Sequence, residues 1–282
     1  MEEKDFLASY NIEKYERPSL TTDIVCFTIQ TDKSTCYRKD PVHSLNILLI
    51  KRGEHPFKDR WALPGGFVRP SETVNECAVR EIKEETGVEP NYFMSAGIFS
   101  EPGRDPRGWI ISNAYTSVIG EEDVKLKASD DALDAKWFKI IFEKVLDEKN
   151  DIDNKTDIDS KINITLSNDD ITIRAVLARR KSKFGIYEYE ILENDGLAFD
   201  HAKIIASALD VLQSSAKDYE VVFEFLPEKF TLNSMQTVTE TIMGLSLLTP
   251  NFRRKVASFI EETDEYIEGV GHRPARLYKR RL

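Results

Sequence analysis

The sequence predicts an α+β fold: a mixed sheet with a glutamate-rich helix packed on it, followed by a smaller helix-turn-helix unit with a hairpin. Three observations predict it. Runs of branched and aromatic residues bounded by polar turns, Ile24 to Ile29, Leu45 to Ile50, Phe93 to Phe99, Trp109 to Ile119 and Ala135 to Ile141, read as strands. Between the second and third of these, Val74, Ala78, Val79 and Ile82 recur at helical spacing inside Ser71 to Thr86. From Phe230 onward two capped helical stretches precede a glycine-bearing hairpin pattern and a basic end.

Taken in order, residues 3 to 15 form an amphipathic helix with Phe6, Leu7, Tyr10 and Tyr15 on one side, ended by Arg17-Pro18. Such a helix suits docking onto a core or a second subunit. Lys51 and Arg52 close the second strand, where cations either meet ligand phosphates or serve as ordinary surface charge. The loop Phe57 to Gly66 ends in Pro64-Gly65-Gly66, a rigid segment that lets main chain approach a ligand closely. Ser71 is the expected helix cap and Gly87 the expected left-handed terminator.

Glu101 to Trp109 is a turn-rich loop in which Arg104 and Arg107 could hold a pyrophosphate and Trp109 a base, or simply a hairpin with exposed arginines. Asp147 to Lys161 is almost entirely polar and reads as a linker or long loop. Ile162 to Leu166, Ile171 to Ala178 and Phe184 to Leu192 then alternate like antiparallel strands that pack on the first sheet. Asp200 caps a helix reaching Leu212, with Ile204, Ile205, Ala208, Leu209 and Leu212 on one face. The division expected is 1–146, 147–197 and 198–282. In the last part, Thr231 or Asn233 caps a helix to about Met243, and Asn251 caps a second one carrying Arg253, Arg254 and Lys255 near its start. Arg273 and Arg276 fall in the hairpin that follows.

The chemistry concentrates between Gly66 and Val88. Residues three and four apart share a helical face, so Glu81, Glu84 and Glu85 present their carboxylates together, and like charges so placed repel. A hard divalent cation with oxygen ligands relieves that repulsion. A merely solvated acidic face is the competing reading, and it must explain the glycines, the arginine and the glutamates all in register. Arg80 can hold Glu72 by a bidentate pair and fix the loop against the helix.

The stretch GFVRPSETVNECAVREIKEETGV resembles a complete Nudix box, G-x5-E-x7-R-E-U-x-E-E-x-G-U, with every fixed position filled. That resemblance implies an α/β/α sandwich and a Mg2+ or Mn2+ ion bound by Glu81, Glu84, Glu85 and the Gly65 carbonyl, with one glutamate helping to activate water. The string RDPRG after the box is similar to Nudix proteins that handle ADP-ribose and to their regulator relatives. The C-terminal pattern FTL, NFRRK and GHRPARLYK is similar to Nudix-related transcriptional regulators of NAD or sugar metabolism, which implies a winged helix. Together these likenesses cover residues 15 to 140 and 198 to 282. Because the box is intact, the first expectation is a Mg2+-dependent pyrophosphohydrolase of a nucleoside diphosphate derivative or nucleotide sugar, most plausibly ADP-ribose. The alternative is a DNA-binding regulator that senses such a nucleotide, with Arg253, Arg254 and Lys255 entering the major groove and Arg273 and Arg276 meeting phosphates. A solvated helix face would explain the same cations. A homodimer is expected in either case.

The 282-residue chain carries a net charge of −10, unevenly spread. Residues 1–150 hold 21 Lys and Arg against 27 Asp and Glu, whereas residues 228–282 hold 9 against 7, so only the C-terminal part is basic. Three cysteines without ligand-like spacing read as reduced packing residues. With no apolar run long enough for a bilayer, and a charged start, a cytoplasmic protein without membrane contact is expected.

Overall fold

Strand β1 (Ser19–Asp32) divides the fold into two cores. Ile24 and Cys26 point to one side and Val25, Phe27 and Ile29 to the other, as successive residues of a strand must. The structure, a computed structural model, describes residues 2–32, 42–90, 92–120, 134–146, 158–169, 171–183, 185–267 and 274–281.

β1 pairs antiparallel with β2 (Val42–Lys51) and parallel with β5 (Ile110–Val118), so the sheet is mixed. Among the described residues the strand order is β4 (Tyr92–Phe99), β5, β1, β2, β6 (Ala135–Leu146), β7 (Ile158–Asn168), β8 (Ile171–Lys181) and β9 (Tyr187–Asn194). The two-residue β3 (Trp61–Ala62) sits beside β2. The polar stretch expected as a linker falls largely on 147–157, outside the described residues. The strands expected to pack on the first sheet extend it edge to edge, with Phe142 opposite Ile164 and Leu177 opposite Ile191.

Helix α1 (Glu3–Ser9) and the 3-10 turn Ile12–Lys14 replace the single N-terminal helix expected, and α1 buries none of its residues. Helix α2 (Val74–Thr86) covers the Ile24 face through Ala78 and Ile82, against Leu48, Tyr115 and Trp137. Val79, read from spacing as part of that stripe, is exposed; Cys77 and Thr86 are buried instead. Helix α3 (His201–Ser215) covers the opposite face with Ile204, Ile205, Leu209 and Leu212 all at 1% exposure or less, which completes an α/β/α sandwich. It is buried on most sides because β4, β5, β8 and β9 curl around it.

Past α3, the short α4 (Glu220–Phe223), β10 (Phe230–Thr231), α5 (Leu232–Met243), α6 (Thr249–Val256), β11 (Ile260–Ile267) and β12 (Ala275–Arg280) form a winged helix with sheet order β10-β12-β11. Thr231 caps α5 reciprocally with Ser234, at 3.0 and 3.1 Å, and Gly244 ends it at φ +65°. α6 begins earlier than expected: Leu248, not Asn251, is its N-cap, and Pro250 sits in the first turn, where its missing N–H costs nothing. Arg253, Arg254 and Lys255 therefore occupy the last turn of α6 rather than its start. The apolar core runs on from α3 into this unit through Met235, Val238 and Ile242, and Gln213 Nε2 donates to Ile242 O at 3.2 Å.

Candidate functional site

Thr73, two residues after the expected Ser71, is the N-cap of α2 and forms a capping box with Glu76. Glu76 can reach back only from the third helical position, which fixes the start at Val74. Gly87 ends the helix in the left-handed conformation at φ +71°. This short helix aims Arg80, Glu81, Glu84 and Glu85 at the loop before it.

Arg80 organises that junction. Its Nε and Nη2 hold Glu72 at 2.9 and 2.7 Å, Nη1 bridges Glu81 at 2.6 Å and Glu84 at 3.1 Å, and Nη2 reaches the Phe67 carbonyl at 3.3 Å. The bidentate Glu72 pair read from the sequence is present. Bonding to Arg80 and then to the Arg69 N–H holds the Glu72 carboxyl down at about 2.

Glu85 turns the other way and accepts the Gly65 N–H at 2.8 Å. The two glycines leave room for this arrangement. A Cβ on Gly66 would lie 2.3 Å from Glu81 Oε1, and one on Gly65, at φ +155°, would lie 2.0 Å from Thr22 O. Burial, opposed by the Gly65 N–H and Arg52 and reinforced by Glu81 and Asp23, pushes the Glu85 carboxyl up to about 8. No three acidic, His or Cys side chains among the described residues already form a cage. The donor set nonetheless fits a hard cation: the ligand atoms are all oxygen, one carboxylate is buried beside others, and a side chain on Gly66 would fill the space between loop and Glu81.

Next to Gly65 and Gly66 a cavity of about 150 Å3 opens between the Nudix-like box, the loop 101–109 and the start of α3. Arg52, Arg104, Arg107, Asp23, Phe67, Phe199 and His201 line it. Two of the guanidinium groups expected to meet a ligand, Arg52 and Arg107, face the cavity, at 4.9 and 5.4 Å from the Phe199 ring centre. Arg104 also lines the cavity, but its side chain is only 5% exposed and forms a buried ion pair with Asp200 that ties the loop to the start of α3. Trp109 is 53% exposed and does not line the cavity.

Asp23, Phe199 and His201 escaped the sequence reading, as did the ion pair of Asp200. Leu63 N donates to His201 Nδ1 at 2.9 Å, which leaves the ring proton on Nε2, facing Asp23 at 3.4 Å. Burial pushes the Asp23 carboxyl up, but His201, Ser112 and Arg104 outweigh it and hold it below the usual range. The only signal for these residues was Asp200, read as a helix cap. It does occupy that position, yet its side chain makes no cap bond and goes to Arg104.

In the winged helix, Arg253, Arg254 and Lys255 are exposed together on α6. Arg276 is bound within its own hairpin, by Glu262 and by the Tyr266 hydroxyl at 2.7 Å. Arg273 lies outside the described residues. No described helix is long and apolar enough to cross a membrane.

Residues 35–155 match the NUDIX domain family, and residues 222–280 match the NrtR DNA-binding winged helix domain. The "ADPR responsive transcriptional repressor NtrR" of Acinetobacter baylyi is 27% identical over 281 residues, 98% of this chain and 88% of that one. An ADP-ribose pyrophosphatase of Methanocaldococcus jannaschii is 55% identical over 95 residues, 33% of this chain and 54% of that protein. Among solved structures, a MutT/nudix family protein from Enterococcus faecalis superposes with a TM-score of 0.70 at 30% identity, over 100% of this chain and 94% of that one.

Proposed function

Because this chain belongs to the Nudix family and ends in a winged helix of the NrtR type, we propose that it is a DNA-binding transcriptional regulator whose Nudix domain binds ADP-ribose or a closely related nucleotide. This reverses the order expected from the intact box. The observation that carries the reading is the extent of the likeness to the Acinetobacter repressor, which runs through both domains and the α3 connection between them. A free-standing hydrolase would need neither the winged helix nor its exposed cations.

Three features support the division of labour. Arg52 and Arg107 face the cavity as planar donors suited to a pyrophosphate. α3 starts at that cavity with His201 and packs against α5 at its far end, so ligand and DNA units share one rigid element. Arg253, Arg254 and Lys255 give α6 the positive face that phosphate contacts require, in the only basic part of the chain. We further read Phe6 and Leu7, exposed on α1, and Tyr10 just after it as covered by a second copy, since such regulators read paired half-sites.

A second reading, hydrolysis, is favoured by the complete box. Mg2+ or Mn2+ would be held by Glu81, Glu84, Glu85 and the Gly65 carbonyl. When bound, the metal supplies charge neutralisation for phosphate oxygens and a lowered pKa for attacking water. In the chain itself, Arg80 sets the positions of Glu81 and Glu84, and the Gly65 N–H sets that of Glu85.

Retention of DNA tests the main reading. Fluorescence anisotropy with a duplex from upstream of the protein's own gene should rise with the native chain at low salt and not with Arg253→Ala/Arg254→Ala. No rise with either protein would exclude the regulator and leave the hydrolase.

A further inference from the structure

The segment that leads into α3 places an aromatic ring in the cavity under backbone strain. Phe199 has φ +48°, a left-handed conformation that residues with a Cβ avoid. It is held there from both sides. Ala198 N donates to Trp61 O at 2.8 Å, Asn194 Oδ1 accepts the Leu197 N–H at 3.0 Å, and Asp200 is clamped by Arg104 at 2.7 Å. Leu197 and Ala198 are buried, while the next residue is half-buried: its ring packs against Ile50, Ala62 and Ala198 and also lines the cavity. Strain retained in this way at a concave site marks a ligand contact.

What surrounds the ring says which ligand. The Arg52 and Arg107 guanidinium groups lie 4.9 and 5.4 Å from its centre, and Phe57, itself at φ +63°, lies 4.7 Å away. Two like charges thus share one ring. Arg107 has Asp105 as a partner at 2.7 Å, but Arg52 forms no ion pair among the described residues, Glu85, Asp105 and Asp23 acting on its charge only from further off; its Nε donates to the Pro56 carbonyl at 2.8 Å. An anion is the group that Arg52 lacks, and drawing Arg52 toward it, beside the Asp105-held Arg107, uncovers the ring face that Arg52 now occupies. A ring that already accepts one planar group accepts another. The ligand then needs an anionic group and a flat ring a short distance apart, which describes a nucleotide.

We propose that Phe199 is a specificity-determining residue that stacks on the base of the nucleotide, with Arg52 moving from its ring to the ligand's phosphates beside Arg107. The proposal rests on the cavity being the nucleotide site, as argued above, and adds the residue that recognises the base. Because Phe199 immediately precedes Asp200 and α3, base recognition falls on the connector to the winged helix rather than on the box.

Calorimetric titration of the full chain, with metal chelated to prevent turnover, tests this with four probes: ADP-ribose, AMP, ribose 5-phosphate and inorganic pyrophosphate. Phe199→Leu should weaken ADP-ribose and AMP by ~10-fold or more, the scale of losing one base–aromatic stack, and leave ribose 5-phosphate and pyrophosphate within about threefold. Phe199→Tyr, which keeps the ring, should bind all four as the native chain does and unfold at the native temperature. Equal weakening of all four probes by Phe199→Leu, or native AMP affinity in that variant, would overturn the stacking role. Failure of the native chain to bind any of the four would instead overturn the reading of the cavity itself.

Discussion

Arg104 and Asp200, ninety-six positions apart in sequence, form a bidentate ion pair at 2.9 and 2.7 Å with side chains 5% and 9% exposed. The pair fastens the loop after β4 to the first residue before α3, the helix that reaches the winged helix. Asp23 adds a second carboxylate at 3.6 Å from the same guanidinium. Removing one member of a buried pair leaves the other charged and unsolvated, which costs about 3–5 kcal/mol. Arg104→Ala should therefore destabilise the chain by that amount in urea unfolding, and Arg104→Ala/Asp200→Ala by less than the sum of the two single changes. A loss under about 1 kcal/mol for Arg104→Ala would mean that the pair is not holding the loop.

The box was legible because its chemistry is local. Gly66, Glu72, Arg80 and the three glutamates lie within a single loop and helix, and the structure brings Arg80 onto Glu72 as the spacing required. The cap was displaced by two residues because Ser71 and Thr73 are equally good caps in isolation, and Glu76 decides between them. The ion pair of Arg104 was illegible for a different reason: its partner lies across the fold, and no local pattern distinguishes a guanidinium that meets a ligand from one that meets a distant aspartate. Phe199 and His201 were illegible on the same ground, since the cavity is assembled from β1, the loop after β2, the loop after β4 and the start of α3. The edge-to-edge addition of β7 to β9 was likewise invisible, because alternation gives a strand's faces but not its neighbour.

If the box turns substrate over, Glu85 is its most sensitive residue. Glu85→Gln keeps the shape and can still accept the Gly65 N–H, but it cannot give up a proton to become an anionic ligand or base beside Glu81. Hydrolysis of ADP-ribose with Mg2+ should fall by at least ~100-fold, the scale of one major electrostatic or acid–base contribution. Steady-state turnover measures it. Near-native turnover in Glu85→Gln would remove this residue from the chemistry.

Glu72 gives the pH dependence a definite sign. In the folded chain its carboxyl is held at about 2, below the ordinary value of 4.5, chiefly by Arg80. Its contribution is therefore fully present above about pH 4.5 and is lost as pH falls toward 2. The melting temperature of the native chain should exceed that of Glu72→Gln by a constant margin near neutral pH, and the margin should close on acidification. A margin unchanged between neutral pH and about pH 2.5 would contradict the pairing as the source of stability.

The exposed Phe6, Leu7 and Tyr10 predict self-association. Sedimentation equilibrium at micromolar concentration should give twice the 32.3 kDa chain mass, and Phe6→Ser/Leu7→Ser should shift the population toward the monomer. A monomer in the native chain would leave the apolar face of α1 for another partner and remove paired half-sites from the account.

The central claim, that a nucleotide in the Nudix cavity governs DNA binding by the winged helix, is tested most directly by one titration. The affinity of the full chain for the duplex upstream of its own gene is measured with and without saturating ADP-ribose, across a series of salt concentrations. A ligand shifts a binding equilibrium only through different affinities for the two states, so ADP-ribose should change the DNA affinity by roughly 5–150-fold, the usual range of coupling between sites. Arg253→Ala/Arg254→Ala should lower the slope of log affinity against log salt by about one unit for each phosphate that the variant no longer neutralises. DNA affinity that is the same with and without ADP-ribose, in a chain that binds both, would contradict the claim.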